Sequence, residues 1–164
     1  MKTALVGYTG FVGSNIYEKG CFDYKFNSKN IEEAYGLKPD LLIYAGIRAE
    51  KYLANISPEN DLNTVKVGME NIKKINPQKL VLISTIDVYP TPVNVDEDTE
   101  ITPQLLQPYG ANRYYLEQQV REYFPSALIV RLPGLFGKNI KKNFIYDFIN
   151  KIPTMIKKDK LDLS

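Results

Sequence analysis

Residues 3–18 read TALVGYTGFVGSNIYE: a short apolar run, glycines at positions 7, 10 and 13, and then a helical pattern. In a β–α corner of this kind, Gly7 allows a sharp turn and Gly10 allows the backbone to approach a ligand closely. Gly13 lets the helix pack tightly on the sheet, and the helix N-terminus offers unpaired N–H groups to an anion. The segment therefore predicts a pyrophosphate site, rather than a glycine turn that binds nothing, formed by Gly7, Tyr8, Thr9, Gly10, Phe11, Val12 and Gly13.

The composition is that of one globular domain. Hydrophobic residues make up 44% of the 164 residues and charged residues 24%. Lysine and arginine number 21 against 19 aspartates and glutamates, which leaves a net charge of +2. So balanced a charge argues against a nucleic-acid partner and against membrane binding.

The residue types that are rare or absent exclude several kinds of catalytic site and metal site. Cys21 is the only cysteine, so no internal disulfide can form and a reducing compartment is expected. The absence of histidine removes Ser-His-Asp and Cys-His catalysis and histidine-containing metal sites, and no metal site is predicted. No signal peptide and no long apolar span is apparent, so we expect a cytoplasmic protein. Acid–base chemistry must come from tyrosine, lysine or carboxylate groups.

Short apolar runs alternate with helical patterns along the chain. This alternation predicts βαβ units and an α/β fold, a Rossmann-like doubly wound parallel sheet with helices on both faces. Ligands of such sheets bind at the carboxyl ends of the strands, so the residues that follow each strand are the ones to examine. The predicted strands are 3–6, 24–26, 41–45, 80–84 and 128–131, and the predicted helices are 11–18, 31–35, 59–75 and 109–123.

Three segments together resemble a known family. The glycine segment 7–13 is similar to the opening TGxxGFxG motif of extended short-chain dehydrogenases/reductases, although Val6 stands where a threonine is usual. Residues 80–89, LVLISTIDVY, resemble the strand that carries a catalytic hydroxyl. Residues 108–113, PYGANR, lie where the family has Tyr-x-x-x-Lys, and 131–137, RLPGLFG, resemble the segment that passes the nicotinamide. The resemblance is to the NAD(P)-dependent epimerase/dehydratase group, which acts on nucleotide sugars.

The resemblance implies roles for three residues. Tyr109 would be the general acid/base, and Thr85 would hydrogen-bond the same substrate oxygen. Arg113 would replace the family lysine, lower the pKa of Tyr109 and bind the cofactor ribose, although arginine is not a conservative replacement for lysine. For Thr85 a polar strand end that bonds the backbone is an equal alternative. The Tyr-x-x-x-Arg spacing recurs at Tyr44 and Arg48, where the extended chain of a strand end keeps the two side chains apart.

The resemblance also implies how a cofactor would lie. NADP or NAD is expected, with hydride transfer as the cofactor's own chemistry. An acidic residue after the second strand would favour NAD, but Asn27, Ser28 and Lys29 stand there, and these neutral and basic groups favour NADP. The other residues expected to contact the cofactor are Ala45, Gly46, Ile47, Tyr109, Arg113, Pro133 and Gly134.

Family members are usually about twice as long as this chain. We therefore expect an NAD(P)-binding domain over residues 1–138 and the incomplete start of a substrate-side region over 139–164, with a helix at 144–150. The resemblance implies a nucleotide-sugar substrate and a homodimer formed through helices 59–75 and 109–123. The function predicted is that of a nucleotide-sugar epimerase, dehydratase or reductase. The alternative is a dinucleotide-binding sensor or regulatory subunit that has lost its chemistry.

Overall fold

A computed structural model describes residues 1–138 and residue 140. The chain separates into two compact units, Met1–Gly134 and Leu135–Ser164. The fold and the site below belong to the first unit, whereas residues 135–138 of the second form neither helix nor strand. The predicted helix over 144–150 lies outside the described residues. The predicted domain boundary after residue 138 stays a prediction.

Five parallel strands form one sheet in the order β2-β1-β3-β4-β5. The chain winds outward from β1 in both directions, so the strand order reverses between β1 and β3, where doubly wound folds bind their ligands. Every predicted strand is present, with its ends within one residue of the prediction. The strands are β1 Thr3–Val6, β2 Tyr24–Phe26, β3 Leu41–Tyr44, β4 Lys79–Thr85 and β5 Leu128–Leu132.

The helices connect the strands in the predicted order. They are α1 Phe11–Lys19, α2 Lys51–Ile56, α3 Pro58–Ile75 and α4 Pro108–Tyr123, with shorter 3₁₀ turns at Ile31–Ala34, Ile86–Val88 and Pro103–Leu105. The sequence analysis did not predict α2. This helix has only six residues, which is too short for an apolar periodicity to be recognised. The Rossmann-like α/β prediction is confirmed. No helix in the described part of the chain has the length and apolarity needed to cross a membrane.

The main core lies between the sheet and the pair α3 and α4. Helix α3 begins with proline at its first position, where a missing N–H costs nothing, and its cap residue Asn76 has a left-handed φ of 53°. The alternating pleat turns Ala4 and Val6 toward this core and Leu5 toward the other face, on the strand that α1 contacts. On α3, Val65, Met69 and Ile72 are fully or nearly fully buried and Leu62 is half-buried, so one side of the helix faces the core.

Candidate functional site

The first β–α corner has the predicted geometry. Gly7 lies at φ 91°, a conformation that favours glycine, and its N–H donates to the carbonyl of Phe26 at 2.8 Å. A Cβ at this position would lie 2.3 Å from the carbonyl oxygen of Ala45. The turn therefore brings the ends of β1, β2 and β3 together, and only glycine fits at position 7.

Gly13 and Gly10 differ in what surrounds them. A Cβ at Gly13 would lie 2.0 Å from the carbonyl oxygen of Gly7, so helix α1 packs directly on the loop. A Cβ at Gly10 would meet only that same oxygen, at 3.4 Å. The protein's own packing thus requires glycine at position 13 but leaves open space over Gly10. Gly10 caps α1 without a side-chain bond, and this open, exposed backbone at a helix N-terminus fits the diphosphate of a dinucleotide.

The loop after β2 is ordered by the side chain of Asn27. Its Oδ1 accepts from the N–H of Lys29 at 2.8 Å, and its Nδ2 donates to the hydroxyl of Tyr8 at 3.3 Å. Ser28 and Lys29 are exposed. Asp23 lies at the opposite end of β2, where its carboxylate accepts from the Thr3 N–H at 2.7 Å. No carboxylate therefore occupies the position after β2 that would bond an adenosine ribose.

The segment after β3 contributes its backbone, more than its side chains, to the candidate site. Gly46 is exposed, and a Cβ there would lie 2.9 Å from a methyl carbon of Val6. The side chain of Ile47 packs instead on Gly68 of α3 and joins the main core. Tyr44 is 2% exposed, and burial raises its pKa to about 12. Of the second Tyr-x-x-x-Arg spacing, Tyr44 therefore lies in the core among apolar side chains, whereas Arg48 is exposed.

Tyr109 lies in the first turn of α4 and is held there from two sides. Its backbone N–H donates to Oδ1 of Asn55, in α2, at 2.9 Å. The next residue, Gly110, touches the turn after β4, because a Cβ there would lie 2.0 Å from the carbonyl oxygen of Asp87. This close approach brings the start of α4 against the segment that follows Thr85. The predicted residues Thr85 and Tyr109 thus lie on two segments in direct contact.

Arg113 lies one helical turn after Tyr109 and is 4% exposed. Its guanidinium carbon is 4.0 Å from the centre of the Tyr109 ring. The same guanidinium forms an ion pair with Asp61 of α3 and donates to the carbonyl oxygen of Arg48. Asn112 also donates to Asp61, at 2.7 Å, so α3 and α4 are joined at this point. Several donors of Arg113 are therefore already occupied by protein groups.

The Tyr109 phenol has a raised pKa, because burial disfavours its charged form and outweighs the other influences. Arg113 acts in the predicted direction and lowers the pKa, while the negative charges of Asp87 and Asp61 raise it. Arg113 by itself thus lowers the pKa of Tyr109, as expected. The sum of all influences nevertheless raises that pKa. In this environment Tyr109 is a protonated phenol at neutral pH.

Thr85 ends β4 and is bonded within its own turn. Its Oγ1 accepts from the N–H of Asp87 at 3.1 Å and lies 3.3 Å from Oδ2 of the same residue. The other carboxylate oxygen of Asp87 accepts from Nζ of Lys51 at 2.6 Å. The hydroxyl therefore caps the turn after β4, as the structural alternative expects, and Asp87 and Lys51 add a charged pair beside it.

A buried ion pair joins α4 to β5. Glu117 is fully buried, and its carboxylate accepts from Ser84 Oγ at 2.6 Å and from Arg131 Nη2 at 2.7 Å. Arg131 also donates to the hydroxyl of Tyr89, which in turn donates to the carbonyl oxygen of Asp96 at 2.6 Å. The ends of β4 and β5 are thus tied to α4, next to Thr85. Beyond Arg131, the predicted cofactor residues Pro133 and Gly134 are exposed.

Several residues around Tyr109 were not predicted from the sequence as part of the site. Gly110 had a usable signal, because a glycine inside a helical pattern often marks a close backbone approach. Asp87 follows a predicted strand end and could have been noticed for that reason. Asn55, Asp61 and Lys51 gave no signal, because their partners are distant in the chain. Among residues 1–138 and 140, no group of three or more acidic or cysteine side chains could hold a metal ion.

Comparison with known proteins agrees with the Rossmann-like fold. The model of the NAD dependent epimerase/dehydratase family matches residues 26–162. A dTDP-4-dehydrorhamnose reductase from Bacillus anthracis str. Ames, solved in complex with NADP, is 26% identical, with a TM-score of 0.78 over 92% of this chain and 59% of its own. No curated protein sequence matches the chain.

Two further solved structures share the fold at lower identity. A dTDP-4-dehydrorhamnose reductase from Yersinia enterocolitica is 17% identical, with a TM-score of 0.74 over 92% of this chain and 59% of its own. A UDP-galactose 4-epimerase is 20% identical, with a TM-score of 0.70 over 93% of this chain and 62% of its own. This chain therefore spans about three fifths of the length of these proteins. With the family model covering most of its length, the chain belongs to the NAD dependent epimerase/dehydratase family.

Proposed function

We propose that this chain is the cofactor-binding part of an NADP- or NAD-dependent enzyme that reduces or epimerises a nucleotide-linked sugar. The observation that carries the proposal is the packing of Gly110 on Asp87, which brings Tyr109 of α4 to the segment after Thr85. The similar structures are a reductase and an epimerase named for dTDP- and UDP-linked sugars. The open backbone at Gly10 supports a dinucleotide at the first corner.

Each residue then has a defined task. The bound nicotinamide supplies or accepts the hydride. Tyr109 donates its phenolic proton to a sugar carbonyl oxygen as that carbon is reduced, and takes the proton back in the reverse direction. Thr85 holds the same oxygen by a hydrogen bond, for which its hydroxyl must turn from Asp87. Arg113, stacked on the Tyr109 ring, stabilises the phenolate that remains after the proton has left.

The raised pKa of Tyr109 affects how the rate of each direction of reaction depends on pH. A phenol that keeps its proton at neutral pH is ready to donate, as reduction of a carbonyl requires, and is a poor base for oxidation. Burial of Tyr109, which is 7% exposed, is the main cause of this shift. Reduction of a keto sugar should therefore proceed at neutral pH, whereas oxidation should need a more alkaline pH to form the phenolate.

Replacement of Tyr109 by phenylalanine tests the assignment. Tyr109→Phe should lower kcat about 100-fold or more with NADPH and a panel of nucleotide-linked keto sugars, since general acid catalysis contributes on that order. The Kd for NADPH should stay within about twofold, because the ring and its packing remain. Tyr115→Phe, on the exposed side of the same helix, is the matched control and should keep full activity. Equal turnover in wild type and Tyr109→Phe would refute a role for this hydroxyl.

The second candidate is a dinucleotide-binding sensor without chemistry. The occupied guanidinium of Arg113 favours it, because an arginine held by Asp61 and the Arg48 carbonyl has fewer donors left for a cofactor ribose. This candidate predicts that NADPH binds with no turnover of any sugar by wild-type protein. It also predicts that Tyr109→Phe has no functional consequence. Turnover that depends on Tyr109 rejects the sensor.

A further inference from the structure

A buried carboxylate lies next to the arginine that stacks on Tyr109. Asp61, in the first turn of α3, forms an ion pair with Arg113, and the two side chains are only 11% and 5% exposed. The resemblance assigned Arg113 to the cofactor ribose, whereas here its charge has a protein partner. We propose that Asp61 is a positioning residue of the site, which holds the Arg113 guanidinium against the Tyr109 ring and offsets its charge there. The inference rests on the proposed function, because it concerns the same tyrosine.

Contacts on two sides fix the Arg113 guanidinium. Its Nη1 donates to Oδ2 of Asp61, and its Nη2 donates to the carbonyl oxygen of Arg48, in the segment after β3. The same Nη1 lies 3.4 Å from the backbone carbonyl oxygen of Tyr109. With these bonds in place, the guanidinium carbon is 4.0 Å from the centre of the Tyr109 ring. Because both terminal nitrogens bond to protein, the guanidinium must break a contact before it can turn toward a cofactor.

Asp61 is itself held in one position. Its Oδ2 also accepts from Nδ2 of Asn112 at 2.7 Å, and the same Nδ2 donates to the carbonyl oxygen of Pro58, the first residue of α3, at 3.0 Å. One oxygen of Asp61 therefore accepts from both Asn112 and Arg113 of α4. The side-chain oxygen of an asparagine could accept the same two bonds. The charge of Asp61 can thus be removed while its contacts are kept.

The charged groups on the elements packed against Tyr109 form two pairs. Arg113 of α4 pairs with Asp61 of α3, and Asp87 of the turn after β4 pairs with Lys51 of α2. Burial raises the pKa of Tyr109, Arg113 lowers it, and Asp87 and Asp61 raise it further. Asp61 therefore opposes the effect of the arginine that it holds in place. This explains how Tyr109 keeps its proton although a guanidinium lies against its ring.

Removal of the Asp61 charge alone tests the inference. Ionisation of Tyr109 is followed over pH 7–11 by the ultraviolet absorbance of tyrosinate, as the difference between each protein and the same protein carrying Tyr109→Phe. In Asp61→Asn the phenol should ionise at a pH lower than in wild type by about half a unit or more, since the Arg113 charge is no longer offset. The alkaline decline of kcat/KM for reduction should shift by the same amount. The Kd for NADPH should stay within about twofold, because Arg113 keeps its protein contacts.

Two further variants separate the charge of Asp61 from its structural contacts. Glu59→Gln removes one negative charge from an exposed position in the same first turn of α3, so it is the matched control and should leave the ionisation of Tyr109 unchanged. Asp61→Asn combined with Arg113→Gln removes both charges of the pair. In this double variant Tyr109 should ionise at the wild-type pH or above it, because the cation that favours the phenolate is gone. A purely structural role would lower the stability of both Asp61 variants without this reversal.

The outcomes separate this inference from the proposed function. An unchanged or higher pKa of Tyr109 in Asp61→Asn, or an equal shift in Glu59→Gln, would overturn the inference and leave the proposed function standing. A double variant that ionises below wild type would also overturn it, because the arginine would then not be the charge that Asp61 offsets. So would a tenfold loss of NADPH affinity in Asp61→Asn, since the pair would then serve cofactor binding. Wild-type protein that binds NADPH but reduces no nucleotide-linked keto sugar would refute the proposed function, and the catalytic role of Asp61 with it, whatever the titration shows.

Discussion

The ionisation of Tyr109 sets how the rates of the proposed reaction depend on pH. Burial raises its pKa, Arg113 lowers it, and Asp87 and Asp61 raise it further. Because the net shift is upward from 10, the phenol keeps its proton throughout the neutral range. Reduction should therefore be independent of pH near neutrality and decline only as the pH rises through the pKa of Tyr109. Oxidation, which needs the phenolate, should accelerate over the same alkaline range.

Asp87→Asn tests this account of Tyr109. Removing the negative charge takes away one influence that raises the phenol's pKa, so the pKa should fall. The alkaline decline of kcat/KM for reduction should then begin at a lower pH than in wild type, as measured over pH 7–11. The single oxygen of Asn can still accept from Lys51 Nζ, and its Nδ2 can donate to Thr85 Oγ1 in place of the bond that Asp87 Oδ2 accepts, which limits structural change. A shift of the profile to higher pH would contradict the assignment of this limb to Tyr109.

Two glycines of the first corner make opposite predictions. Gly13→Ala should destabilise the fold by about 2 kcal/mol, because its Cβ would lie 2.0 Å from the Gly7 carbonyl oxygen and the helix must move. Gly10→Ala should change the free energy of unfolding by less than about 0.5 kcal/mol, since the Cβ meets only one atom at 3.4 Å. It should nevertheless weaken NADPH binding about tenfold, by filling the space over the loop.

Urea unfolding and NADPH titration of both variants measure these effects. Full cofactor affinity in Gly10→Ala would mean that the diphosphate does not approach this backbone. A fully stable Gly13→Ala would contradict the contact between α1 and the Gly7 turn.

Helix α4 presents its buried polar side chains on one face. Tyr109, Arg113 and Glu117 follow one another at intervals of four residues, so they lie along one side of the helix. Arg113 pairs with Asp61 of α3, and Glu117 pairs with Arg131 of β5. The helix that carries the candidate acid is thus attached to its neighbours by two buried ion pairs. Both ion pairs fix the position of α4 along the sheet, because a charge that loses its partner is costly to keep buried.

Removal of Glu117 should therefore be costly. Glu117→Ala leaves the partly buried Arg131 guanidinium without its carboxylate and removes a fully buried side chain, which should lower the free energy of unfolding by about 3 kcal/mol in urea titrations. Glu122→Ala, an exposed site on the same helix, is the control and should stay within about 0.5 kcal/mol of wild type. A loss below about 1 kcal/mol in Glu117→Ala would show that the pair contributes little to stability.

These elements differ in how far the sequence could predict them. The glycine corner and the long amphipathic helix α3 were predictable, because turn geometry and helical burial depend on residues close in the chain. The start of α4 was predictable from Pro108, which favours the first helical position. The partner of Arg113 was not, since Asp61 is separated from it by 52 positions. The net pKa of Tyr109 was not predictable either, because burial is a property of the folded chain.

The five parallel strands place the ends of β1, β2, β3, β4 and β5 along one edge of the sheet. The glycine corner lies at the reversal between β1 and β3, and the Thr85 turn follows β4, two strands from β1. A dinucleotide that spans this edge would extend from the loop after β2 to the start of α4. The proposed cofactor site therefore depends on the packing of the entire sheet, and cofactor binding should stabilise the fold as a unit.

Thermal unfolding with each cofactor measures this coupling. A ligand at 100 times its Kd stabilises the native state by about 2.7 kcal/mol when it binds only folded protein. For a chain of this size, NADPH should raise Tm by about 5–10 °C. Tyr109→Phe should show the same shift, because the phenol's hydroxyl serves chemistry rather than binding, whereas Gly10→Ala at the same NADPH concentration should show a smaller one. An unchanged Tm with NADPH and NADH would mean that the corner around Gly7 binds no nicotinamide dinucleotide, and both the enzyme and the sensor would then be rejected.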